Sequence, residues 1–304
     1  MLKRLKAQHL GSIFVAAVLV VAAFVGASLA GAAGSGGVSV SAVGCGSGPT
    51  GPSGPSGPIG GPSGPSGPSG PPASGPARVA VLSLTTWTLG TGQPGSPLPP
   101  FSYGTRPLTP IMGDWNGDGL NTVGTFQSGT FFLNDQNDSS AAEHVFTFGD
   151  PRGYPVAGDF DGNGCDDVAV YRNGTWQVRY LGPGAPPDDA FTLPAPFGQG
   201  AWPNTVPVAG DWDGNGVDGI GTYDRASATW VLKNTVGTGP PDVAPFVFGD
   251  PGISLPVVGD WDGDGADSPG FRTGATFNVR TTGVTAGPVS SFVFGAVNAI
   301  PLTW

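Results

Sequence analysis

The chain has 304 residues, with 54 Gly, 33 Pro, 11% charged residues and a net charge of −10. Three of its basic residues, Lys3, Arg4 and Lys6, stand at the start, leaving nine basic against 22 acidic residues in the remainder. That balance excludes a basic nucleic-acid footprint, and the low charge excludes a charge-rich disordered chain. Of the 22 acids, 21 are Asp and one is Glu, at Glu143. Ordinary solvated surfaces use both types, so this chain is placing its carboxylates on short stems in tight turns.

Residues 1–33 read as a signal peptide or an N-terminal membrane anchor. Lys3, Arg4 and Lys6 form a basic start, Leu10 to Ala30 is uncharged, and Ser28-Leu29-Ala30 and Gly31-Ala32-Ala33 offer small residues for cleavage. Cleavage is the favoured reading, although Ser12 to Ala30 is long enough to span a bilayer uncleaved. Either way the C-terminal part is expected outside the cytoplasm, secreted or held at the cell surface.

Residues 34–77 form a Gly/Pro/Ser-rich linker. From Gly48 it runs in Gly-Pro-Ser-like triplets to Pro72, broken by the extra Gly60. Gly at every third position resembles collagen, whose crowded axis admits Gly alone. The phase break favours a semi-stiff spacer over a triple helix that would trimerise the chain. Cys45 lies in this linker and Cys165 in the later repeats, with neither zinc nor redox spacing. A bridge between them remains open, and a free linker thiol is the favoured reading.

Residues 78–304 repeat themselves. Units start at Pro107, Pro155, Pro207 and Pro256, with a fifth start at Pro301. Each begins with a short apolar stretch such as Pro155-Val156-Ala157-Gly158 and continues into an Asp-rich loop. A second strand follows, at Val123 to Phe126, Val168 to Tyr171, Ile220 to Tyr223 and, more weakly, Pro269 to Phe271. A third carries Phe131, Trp176, Trp230 or Phe277. A fourth ends in Phe-Gly at Phe148, Phe248 and Phe294, with Phe197-Gly198 a looser match. These segments are β-branched and aromatic, separated by turn residues, and show no helical period.

The ends complete one another. Val79 to Leu89 lines up without gaps on Val168 to Val178, and Phe101-Ser102-Tyr103-Gly104 matches the Phe-Gly strand. The N-terminus thus supplies strands two to four of a unit and Pro301-Leu302-Thr303-Trp304 supplies strand one. The expectation is an all-β propeller of five four-stranded blades closed by pairing of the terminal strands, because closure protects the edges. A linear β-repeat array, with both incomplete ends acting as caps, is the alternative.

Numbered from its first Asp, each loop puts Asp or Asn at positions 1, 3, 5 and 8. Loop 1 has Asp114, Asn116, Asp118 and Asn121; loop 2 has Asp159, Asp161, Asn163 and Asp166, with Asp167 adjacent. Loop 3 has Asp211, Asp213, Asn215 and Asp218; loop 4 has Asp260, Asp262, Asp264 and Asp267. Calcium takes six to eight oxygens, and alternating carboxylates in a tight loop converge on one point. The carbonyls of Leu120, Cys165, Val217 and Ala266 at position 7 would add a further ligand, and Gly at positions 4 and 6 permits the sharp turn. Without a cation, these like charges oppose one another. Up to four Ca2+ sites are expected, loop 1 the weakest, with no site in the fifth blade. Plain turn chemistry, which also favours Asp, Asn and Gly, is the competing reading.

These are not EF-hands, because position 12 holds Thr125, Val170, Thr222 and Phe271 rather than Glu. Gly259-Asp260-Trp261-Asp262-Gly263-Asp264-Gly265 and the Phe-Gly pairs resemble the FG-GAP or VCBS repeats of integrin-α-like propellers and bacterial surface proteins. The resemblance covers essentially Arg78 onward and implies a calcium-stabilised propeller used for recognition. The family's last carboxylate stands at position 9, which here only Asp167 occupies.

Trp115, Trp212, Trp261, Trp176 and Trp230 recur with the repeat, so packing is favoured over sugar stacking. Trp202, in the insertion after Gly198, is a separate ligand-contact candidate. His9 belongs to the leader, and Glu143-His144 reads as a solvated turn, leaving no catalytic constellation. The expected function is therefore non-enzymatic: a calcium-binding recognition or adhesion module outside the cell, with an unknown protein or glycan as partner. Two alternatives are a carbohydrate-binding lectin and a structural wall or spore-coat component trimerised by the collagen-like run.

Overall fold

The computed structural model describes residues 76–92, 96–198 and 204–304. The leader, Cys45, the triplet run and Trp202 lie outside them. Twenty strands and no helix occur among the described residues. They run β1 (Val79–Ser83), β2 (Thr86–Leu89) and β3 (Phe101–Ser102), then β4 (Thr109–Gly113), β5 (Thr122–Gln127), β6 (Thr130–Leu133) and β7 (His144–Thr147). Next come β8 (Tyr154–Gly158), β9 (Asp167–Arg172), β10 (Thr175–Arg179) and β11 (Asp189–Thr192). After these are β12 (Thr205–Gly210), β13 (Gly219–Asp224), β14 (Thr229–Lys233) and β15 (Val243–Val247). The last are β16 (Leu255–Gly259), β17 (Ser268–Thr273), β18 (Thr276–Arg280), β19 (Val289–Val293) and β20 (Ile300–Thr303).

They form five four-stranded antiparallel sheets, four of them consecutive in sequence and one ordered β20-β1-β2-β3. The protein is a five-bladed β-propeller. Blades 1 to 4 are β4–β7, β8–β11, β12–β15 and β16–β19; blade 5 joins the chain ends. Its seam pairs Val79 with Thr303, Ala80 with Leu302, Val81 with Pro301 and Leu82 with Ile300. Arg78 and Trp304 exchange backbone hydrogen bonds of 2.9 and 2.8 Å. Closure of this kind leaves no half-sheet exposed at either end.

Burial follows position within the blade. The second strands, sandwiched between neighbouring blades, are buried over their first five residues in β5, β9, β13 and β17. The third strands alternate, with Phe131, Trp176, Trp230 and Phe277 all at 0% exposure, which accounts for the recurrence of the aromatic. Outer strands are mostly exposed, as in β19. At the perimeter, Arg179 of blade 2 stacks on Phe146 and Phe148 of blade 1, and Arg280 of blade 4 on Phe246 and Phe248 of blade 3.

Three details differ from the sequence expectation. The first unit's inner-strand proline is Pro110, not Pro107: Pro110 pairs with Thr125 as Pro155 pairs with Val170. Each of these prolines sits on a channel-facing edge strand, where a missing N–H is tolerated. The Phe of each Phe-Gly pair falls one residue past its strand, where Phe148, Phe248 and Phe294 donate to Gly129, Ala228 and Ala275. In blade 2 the insertion divides that pair's two roles. Leu193 makes the equivalent backbone bond to Gly174, while Gly198 donates to Thr222 of blade 3. Finally, His144 is no solvated turn residue. It opens β7 with its side chain 10% exposed, and its Nε2 lies 2.8 Å from Asp135 Oδ1.

Candidate metal centre

The four Asp loops follow the inner strands β4, β8, β12 and β16 and share one backbone. Glycines at positions 4 and 6 have φ near +73 to +90° in all four, a region that a side chain would strain. The first Asp holds each loop together by accepting three backbone N–H groups. Asp114 accepts from Gly117, Asp118 and Gly119 at 2.8, 3.1 and 2.7 Å. Asp159, Asp211 and Asp260 repeat the set within a few tenths of an ångström. The position-5 side chain then accepts the N–H of position 7, at Leu120, Cys165, Val217 and Ala266. This is Asx-turn chemistry, and it suffices to shape the loop.

The loops part company in their remaining acids. In loop 2, carboxylate oxygens of Asp159, Asp161 and Asp167 lie within 4.8 Å of one another; in loop 4 those of Asp260, Asp262 and Asp264 do the same. Loop 1 instead turns the Asn116 amide onto Asp118 Oδ2 at 3.2 Å. Loop 3 gives Asp213 Oδ2 the Asn234 amide at 2.8 Å, and Asn215 stands at position 5. In loops 1 and 3 an acid of the loop therefore faces an amide donor instead of further carboxylates.

Position 8 leaves the loop altogether. Asp166 Oδ2 accepts the backbone N–H of Asp114 in blade 1 at 2.9 Å, Asp218 that of Asp159 at 3.0 Å, and Asp267 that of Asp211 at 3.1 Å. In return the backbone N–H groups of Asp166, Asp218 and Asp267 donate to the carbonyls of the same three residues. Each carboxylate thus buttons one blade to the blade before it, beside the central channel. The Gly before each first Asp makes room: a Cβ on Gly158 would lie 2.5 Å from Asp218 Oδ2 and one on Gly210 2.7 Å from Asp267 Oδ2. Ala77 of blade 5 occupies the equivalent place over Gly259 and donates to Asp260 O. Asn121 is the blade 1 counterpart. With these residues gathered at one mouth of the channel lies a cavity of about 280 Å³, lined by Asn121, Asp166, Asp218, Asp260 and Asp267.

No family model matches the chain, and no curated protein matches it. Among solved structures, one similar chain is an Agrocybe aegerita lectin whose structure describes specific recognition of non-reducing terminal N-acetylglucosamine. It shares 16% identity at a TM-score of 0.42, over 72% of this chain and 63% of its own length. A likeness this distant carries no argument about ligands, and the resemblance to FG-GAP and VCBS repeats rests on the loop residues themselves.

Burial, and after it the neighbouring charges, raise the acid pKa values here. Burial is the largest cause for Asp166, pushed up to about 8, for Asp267, pushed up to about 7, and for Asp218, raised well above its ordinary value. The three carboxylates also repel one another across the channel. In loop 2, burial and then the Asp161 charge hold Asp167 near 8, against the pull of N–H bonds from Leu181 at 2.6 Å and Phe160 at 3.0 Å. Asp159 is raised by burial first. In loop 4, desolvation and then Asp264 raise Asp262.

All-oxygen donors, carboxylate-rich and held on a preformed turn, fit a hard divalent cation in loops 2 and 4. Trp115, Trp212 and Trp261, at position 2 of their loops, are buried and serve packing, as do Trp176 and Trp230. Cys165, buried in loop 2, is disulfide-bonded, contrary to the favoured reading of unpaired thiols. The only other cysteine, Cys45, lies outside the described residues.

Proposed function

We propose that the propeller is a calcium-binding recognition module of the cell exterior, with its ions in loops 2 and 4. The observation that carries this reading is the convergence of three carboxylate oxygens within 4.8 Å in each of those loops. In loop 2 Asp159 and Asn163 shape the turn, so Asp161 and Asp167 are additional to it; in loop 4 Asp260 and Asp264 shape the turn and Asp262 is the added acid. Like charges held this close are unfavourable until a cation enters. Calcium suits the site better than magnesium, which demands a rigid octahedron and retains waters. The ion's role is to lock the loops on one propeller mouth, while this chain's backbone and blades hold the recognition surface still.

Binding rather than catalysis is the proposed role: the Asp135–His144 pair joins no nucleophile, and His144 Nδ1 is buried without a partner. The basic and apolar leader supports an exterior setting. A glycan reading gains nothing from the repeated tryptophans, which are buried. Calorimetric titration of chelated protein tests the proposal. Two calcium ions per chain with a raised melting temperature are expected; no bound ion and an unchanged melting temperature would overturn it.

A further inference from the structure

We propose that the channel mouth opposite the acidic loops binds an aliphatic carboxylate. The five inner strands begin there, around a cavity of about 480 Å³, within the range of small-ligand pockets. Its wall is mostly aliphatic, built from Leu108, Val206, Leu255, Ile300 and three of the inner-strand prolines, with Tyr154 as its one aromatic residue. Two cations stand at its rim, Arg152 in the turn before β8 and Arg225 just after β13.

Neither cation has a carboxylate to itself. Arg225 donates its Nε to the Ser254 carbonyl at 3.3 Å, and no ion pair to it occurs among the described residues. Arg152 is 78% exposed, and its nearest carboxylate, Asp150 at 3.8 Å, is already gripped by Arg172 at 2.7 and 2.8 Å. In a chain with 22 acids and 12 bases, an acid to pair them was abundantly available. One unpaired guanidinium group and one held only by a long ion pair, beside an apolar hollow, match an anion carried on a hydrocarbon body. The planar guanidinium fork pairs with a carboxylate bidentately. A sugar ring would ask for converging hydrogen-bond groups that an aliphatic wall does not supply. A free fatty acid and the C-terminus of an apolar peptide share this chemistry.

The test is calorimetric titration of the full chain in chelator, so that its outcome is separate from calcium binding. Probes are octanoate against octanol, and Val-Val-Leu as free acid against its amide. One site per chain is expected, with the carboxylates binding at least about tenfold more tightly than their neutral analogues. The tighter of the two carboxylates identifies the source. Arg225→Met should lose about tenfold, and Arg152→Met, at an exposed position that packing does not need, should weaken binding without moving the melting temperature. Equal binding of octanol and octanoate, or no saturable binding of either carboxylate, overturns the proposal.

Discussion

Loops 2 and 4 and loops 1 and 3 have the same backbone, the same glycines and the same first Asp, yet they differ in what the spare acids face. In loops 2 and 4 three carboxylates meet; in loops 1 and 3 an amide from Asn116 or Asn234 meets an acid. The shape of an Asp-rich turn is therefore separable from its capacity for a cation. The first Asp and the position-5 side chain make the turn; what loops 2 and 4 add for the proposed site is Asp161 with Asp167 in one and Asp262 in the other.

The largest effect should be the one the four loops have in common. Asp114→Ala, Asp159→Ala, Asp211→Ala and Asp260→Ala each strand three backbone donors, so each should cost about 2–4 kcal/mol in chelator, measured by urea unfolding. A loop that tolerated the change would break the equivalence of the four turns. Next comes calcium. At a concentration a hundredfold above its dissociation constant, each occupied site should add about 2.7 kcal/mol. Asp161→Asn and Asp262→Asn should each remove one ion from the stoichiometry. Asp118→Asn and Asp213→Asn should leave it at two, and a lower count in either variant would place a site in a loop where an amide already stands.

The blade count and closure were legible because the repeat has a fixed period and both ends carry matching partial units: Val79 to Leu89 copies Val168 to Val178 and becomes β1 and β2. The unit start was misplaced at Pro107 because two prolines precede Gly113 and local composition does not choose between them. Counting back three residues from each Gly-Asp would have found Pro110. The position-8 acids were grouped with their own loops because spacing reports proximity along the chain alone. Their partners are one blade away, 52 to 59 residues distant. A signal did exist: the repeats that these loops resemble carry their last carboxylate at position 9, so an acid at position 8 is one residue out of place for a ligand of its own loop. Likewise nothing in the sequence gathers Arg152 and Arg225, which propeller closure alone brings to one rim.

The smallest effect tests the acids that belong to neither kind of loop. Asp166, Asp218 and Asp267 hold their protons more tightly folded than unfolded, where the ordinary value is 3.8. Between about pH 4 and 8 the folded state therefore binds more protons, and stability falls as pH rises through that window. Without metal, the melting temperature should climb as pH is lowered from 8 toward 5. Asp218→Asn sharpens the point, since the amide oxygen still accepts the Asp159 N–H while the charge facing Asp166 and Asp267 is gone. Blade 1 already places an amide there, at Asn121. The variant should gain on the order of 1–2 kcal/mol at pH 8 and nothing near pH 4. If it were instead destabilised at pH 8 by the same margin, the three channel carboxylates would be acting as a charged group neutralised by a cation. The distinction between loops that bind and acids that only button blades together would then have to be redrawn at the channel.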